Sequence, residues 1–98
     1  MTVDDQSKYN YRAIRELLLA AYSADELRAL IVYDEELGPL RHEFAPNDSI
    51  SALADKAIGY CTRHLLMEHF LGLVKEERPL PYARFEHELR RMPGRETS

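Results

Sequence analysis

The sequence predicts an all-α protein, a compact bundle of five or six helices. Three observations predict it. Apolar residues recur at spacings of three and four over most of the chain, as a helix of about 3.6 residues per turn requires. No stretch alternates apolar and polar residues long enough for a strand, and capping residues and Gly-Pro stops mark off the periodic segments.

The element that the others must cover is residues 49–74, SISALADKAIGYCTRHLLMEHFLGLV. Ile50, Leu53, Ala54, Ala57, Ile58 and Cys61 form one stripe, and Leu66, Met67, Phe70, Leu71 and Val74 form a second. Thr62, Arg63 and His64 between them are polar enough for a turn, which makes the segment a helical hairpin. Each larger side chain gains about 1.5–3 kcal/mol on burial, so both stripes demand cover from the flanks.

The flanks supply it in order. Residues 1–9 lack periodicity and read as a flexible lead-in, with the bundle itself spanning 10–92. Asn10 caps a helix over 11–22 whose inner face is Ile14, Leu17, Leu18 and Ala21. Ser23 opens SADE, a capping box with Glu26, and starts a helix with Leu27, Leu30 and Ile31 inward. That helix ends near Tyr33, because Asp34, Glu35 and Glu36 oppose the negative end of the helix dipole. Gly38-Pro39 introduces a short helix or 3₁₀ turn over LRHEF, and Asn47, Asp48 and Ser49 offer caps to the next helix. After KEERPLP, Pro81 seats a last helix to about Met92, with Tyr82, Phe85, Leu89 and Met92 on its apolar side. Pro93-Gly94 stops it and leaves 93–98 frayed.

A chain of 98 residues makes one domain, and its single cysteine excludes an internal disulfide. A composition of 45% hydrophobic and 31% charged residues is that of a folded chain. A net charge of −4 argues against general nucleic-acid binding, which needs a surplus of Lys and Arg facing phosphates. No apolar run reaches the roughly 20 residues that cross a bilayer, and the acidic opening MTVDD is unlike a signal peptide, so a cytoplasmic location is expected.

Chemistry-bearing motifs are sparse. Cys61, His64 and His69 share one segment, yet Cys61 falls on the apolar stripe, where a buried thiol acts as a small hydrophobe. There is no second cysteine or HExxH for a metal, and His42 in RHEF stands alone. Gly38, Gly59, Gly72 and Gly94 are isolated, outside any phosphate-cradling pattern. No cofactor and no enzymatic activity are therefore expected. Charge is more informative. Residues 23–48 hold seven acids against two arginines, whereas residues 75–95 hold six bases against four acids. Two unlike ends of this kind can associate head to tail. Tyr33 beside the acidic loop and Tyr60 off the main stripe are aromatic candidates for a contact surface.

Four pieces in order carry a family resemblance: Leu18-Leu19-Ala20-Ala21-Tyr22-Ser23, Glu26-Leu27-Arg28-Ala29-Leu30, Gly59-Tyr60-Cys61-Thr62-Arg63-His64, and Arg78-Pro79-Leu80-Pro81-Tyr82-Ala83-Arg84-Phe85. Over about residues 11–85 the chain resembles the bacterial effector-associated domains of the death-like superfamily. It departs from their pattern at Tyr22, where Phe is usual, at Arg78, where Asn precedes the proline, and after His64, where a glycine is often found. The resemblance implies a death-like six-helix bundle acting as an adaptor in bacterial conflict signalling. It would bind another copy of itself, or a matching domain in a protease, TIR or pore-forming effector. The expected contact surfaces are Asp34, Glu35 and Glu36 on one side and Arg84, Arg90 and Arg91 on the other, with Tyr33 and Tyr60 as the aromatic candidates. The alternative is a small helical DNA- or ligand-binding regulator using residues 49–74, for which His64 to Val74 offers Glu68 and no Arg or Lys.

Overall fold

The computed structural model describes residues 9–90, and among them five α-helices and one 3₁₀ helix pack as an all-helical bundle. They are α1 (Tyr11–Ala21), α2 (Ala24–Tyr33), the 3₁₀ helix (Gly38–Glu43), α3 (Ile50–Arg63), α4 (Met67–Glu77) and α5 (Pro79–Leu89). The expected starts are met by the expected caps. Asn10 accepts from the Ala13 N–H at 3.2 Å and Ser49 from the Ala52 N–H at 3.2 Å. Both halves of the Ser23–Glu26 capping box form.

Helix α1 lies against α3 and α5, while α2 packs on the 3₁₀ helix and α3, and α4 joins α3 to α5. Ile14, Leu17 and Leu18 of α1 meet Leu53, Ala54 and Ala57 of α3 and Phe70, Leu71 and Val74 of α4 in one core. Leu37 and Leu40, in the stretch with the weakest pattern, are fully buried there as well. Ile50, Ile58 and Leu66 stop at the edge of this core, and Tyr60, expected off the stripe, is buried in it at 9% exposure.

The hairpin turns at the expected place by an unexpected means. The Leu66 N–H closes back on the Cys61 carbonyl at 2.8 Å, a Schellman-type ending, and Leu65 takes the left-handed conformation with φ 59°. Glycine normally fills that position because it has no Cβ to crowd the backbone. Here a leucine does so, with its side chain 91% exposed.

The last helix differs from expectation at both ends. It begins at Pro79 instead of Pro81, and both prolines fall in the first turn, where backbone N–H groups have no intrahelical acceptor. It ends at Leu89, because Arg90 is extended and pairs antiparallel with Tyr9. The Asn10 N–H also donates to the Leu89 carbonyl at 2.9 Å. Tyr9, placed with the lead-in by its lack of periodicity, is thus tied to the end of α5. Met92, expected on the apolar side of that helix, lies outside the described residues.

Candidate functional site: a groove between α2 and α4

Because α2 turns Leu27 and Ile31 into the core, its next face carries Glu26, Ala29 and Tyr33, all exposed, and Leu30, half-buried against the core, at spacings of three and four. Helix α4 buries Phe70, Leu71 and Val74 and leaves Leu73 and Glu77 on the flank toward α2. Between the two helices runs an open groove of about 400 Å³. Ala29, Leu30 and Leu73 give it an apolar floor, and Tyr33, 85% exposed, stands at its edge.

Three carboxylates line it against one guanidinium. Glu26, Asp34 and Glu77 are the acids and Arg78 the base. Arg78 is the cap shared by α4 and α5, and its Nε donates to the Ala21 carbonyl at 3.0 Å. Its Nη atoms lie 3.6 Å from Glu26 and 3.9 Å from Glu77. The Glu77 carboxylate accepts from the Tyr22 hydroxyl at 3.1 Å, and burial followed by that carboxylate pushes the Tyr22 phenol well up. Glu26 is held below the usual carboxylate range, first by the Ser23 N–H and then by the nearby Arg78 charge.

The residues expected at contact surfaces fall into distinct settings. Tyr33 and Asp34 belong to the groove. Asp34 is occupied structurally as well, because its carboxylate accepts from the Glu36 and Leu37 N–H groups at 3.0 Å and contacts His69 Nε2 at 2.9 Å. Glu35 and Glu36 are exposed just beyond it. Tyr60 is withdrawn from the surface, its ring 4.2 Å from that of His64. Arg84 is exposed on α5 and has no ion pair among the described residues. Arg90 is engaged within the chain: its Nε donates to Glu68 at 3.1 Å, and Glu68 also accepts from the Tyr9 hydroxyl at 2.7 Å. Arg91 lies outside the described residues.

Periodicity missed Leu73, and it assigned Leu30 wholly to the core. An apolar residue at the margin of a stripe is the available signal, but it does not reveal whether a neighbouring helix arrives to cover it. Leu80 was missed in the same way, being off the Tyr82, Phe85 and Leu89 face and 78% exposed.

Cys61 is buried, and burial pushes its thiol up to about 12, so at neutral pH it is a neutral hydrophobe and a poor nucleophile. Among the described residues no group of three or more His, Cys, Asp or Glu is placed to hold a metal ion. No helix among them is long and apolar enough to cross a membrane.

The family model described as effector-associated domain 7 matches residues 14–79, from Ile14 in the core of α1 to Pro79 at the start of α5. No curated protein matches the chain, and no solved structure does. Effector-associated domains are accessory, non-catalytic units associated with effector proteins. Since the matched segment contains the core of α1 to α4 and the whole groove, the chain belongs to the effector-associated domain 7 family.

Proposed function

We propose that this chain is a non-enzymatic adaptor that recruits or oligomerises effectors in bacterial conflict signalling, by binding a matching domain through the face formed by α2 and α4. The observation that carries the reading is the groove itself: an apolar floor with an exposed tyrosine beside it and an acidic border, within the matched segment. An apolar centre ringed by charge is the anatomy of a recognition surface, in which the anchor supplies affinity and the border selects the partner. The partner is a death-like domain, carried by a protease, TIR or pore-forming effector, that presents apolar and basic side chains together.

Calorimetric titration of purified effectors that carry such a domain tests the reading. Binding is expected to weaken with rising salt and with the double substitution Glu35→Lys, Glu36→Lys, while melting stays unchanged. Binding indifferent to both salt and charge reversal would contradict the recognition surface assigned here.

A further inference from the structure

We propose that the groove between α2 and α4 receives Leu80 and Arg84 from a second copy of this chain, an inference that rests on the adaptor reading and names one partner of its surface. Leu80 is 78% exposed at the second position of α5, held between Pro79 and Pro81. The two prolines fix the local backbone, so seating Leu80 in a partner costs little further chain entropy. Arg84 stands one turn on, on the same side of the helix, exposed and without an ion pair among the described residues. Ala83 beside it is small and exposed, which permits close approach.

The groove has the complementary character. Ala29, Leu30 and Leu73 match an aliphatic anchor, and Glu26 and Glu77 face Arg78 with negative charge to spare for a second guanidinium. The other exposed leucine, Leu65, fits less well, because the nearby Arg63 is already paired with Glu43 at 3.1 Å. Leu80 and Arg84 lie just past the matched segment, on the helix that Pro79 begins. An interface with one aliphatic anchor and a charged border belongs to the weak, reversible class.

Sedimentation velocity at low salt, over a wide range of concentration, tests the pairing with wild type, Ala29→Trp and Leu80→Asp. Ala29 and Leu80 are both exposed, and an acid at the second helical position suits the helix dipole, so both variants should fold. Circular dichroism and thermal melting check that they do, and Arg84→Glu serves as a further variant that leaves all packing intact. Wild type is expected to dimerise reversibly, and each variant to associate at least about tenfold more weakly. An equimolar mixture of Ala29→Trp and Leu80→Asp should associate again, since one copy retains the anchor and the other the groove. A wild-type chain monomeric throughout, variants that associate like wild type, or a mixture as monomeric as its components would each overturn the proposal. If wild type stays monomeric yet Ala29→Trp abolishes effector binding, the groove's occupant is the effector, and the adaptor reading survives while this inference fails.

Discussion

The guanidinium carbon of Arg78 lies 4.7 Å from the centroid of the Tyr22 ring, between the end of α1 and the junction of α4 with α5. The same side chain donates to the Ala21 carbonyl, one of the acceptors a helix end leaves open. A single residue therefore fastens three helices beside the groove. Arg78→Lys keeps the charge but loses the planar stack and the Nε donor, and should lower stability by about 1–2 kcal/mol. Urea unfolding measures this, and a lysine variant as stable as wild type would remove Arg78 from the account.

Leu65 is expected to behave in the opposite sense. Its left-handed backbone costs roughly 1 kcal/mol for a residue with a Cβ, and its exposed side chain returns little packing. Leu65→Gly should raise the denaturation midpoint, with a gain of up to about 1 kcal/mol at unchanged m-value. A drop in stability would show that the side chain makes a contact the turn depends on.

Alkaline pH should loosen the bundle. Native Cys61 holds its proton to about 12, whereas an unfolded thiol releases it near its ordinary value of 9.0. Between those values the native state binds more protons than the unfolded one, so this contribution is whole below pH 9 and is lost as pH rises. By linkage Cys61 alone removes about 1 kcal/mol near pH 10. Tyr9, raised to about 12 by burial and by its hydrogen bond to Glu68, acts in the same direction. Unfolding curves at successive pH values read the slope, and at pH 8 a thiol reagent should label Cys61 only after denaturation.

Acid should loosen the segment before α3. The Asp48 carboxylate accepts from Lys56 Nζ at 2.7 Å and from the Ala45 N–H at 2.8 Å, which hold its pKa below the usual range. The unfolded carboxylate takes up its proton first as pH falls, so the stabilisation is present above the unfolded value and is lost through the lower, native one. Asp48→Asn should make stability depend less steeply on pH in the region below the ordinary carboxylate value of 3.8. An unaltered slope would mean the pairing with Lys56 contributes nothing to folding.

Local chemistry made much of this fold legible in the sequence. Asn10, Ser23 and Ser49 each cap a helix through a bond to a residue three positions on, a relationship that a short window contains. Long-range closure was not legible. Arg90 leaves the helix to pair with Tyr9, about eighty residues away, and no local pattern forecasts that. Tyr60 is drawn inside because α3 is covered by α1, α2, the 3₁₀ helix and α4 together, so more than one face of it is buried. Of the groove's lining, Tyr33 and Asp34 could be picked out from charge and type alone. The groove needed the structure, since Leu30 and Leu73 reveal its floor only once α2 and α4 stand apart.

As an adaptor, this chain is expected to join an effector by a surface contact. Co-sedimentation at low salt with a purified effector that carries a matching death-like domain tests it most directly. A single faster boundary containing both proteins is predicted, reverting to two as salt is raised. Two independent boundaries at every salt concentration, with both proteins folded, would contradict it.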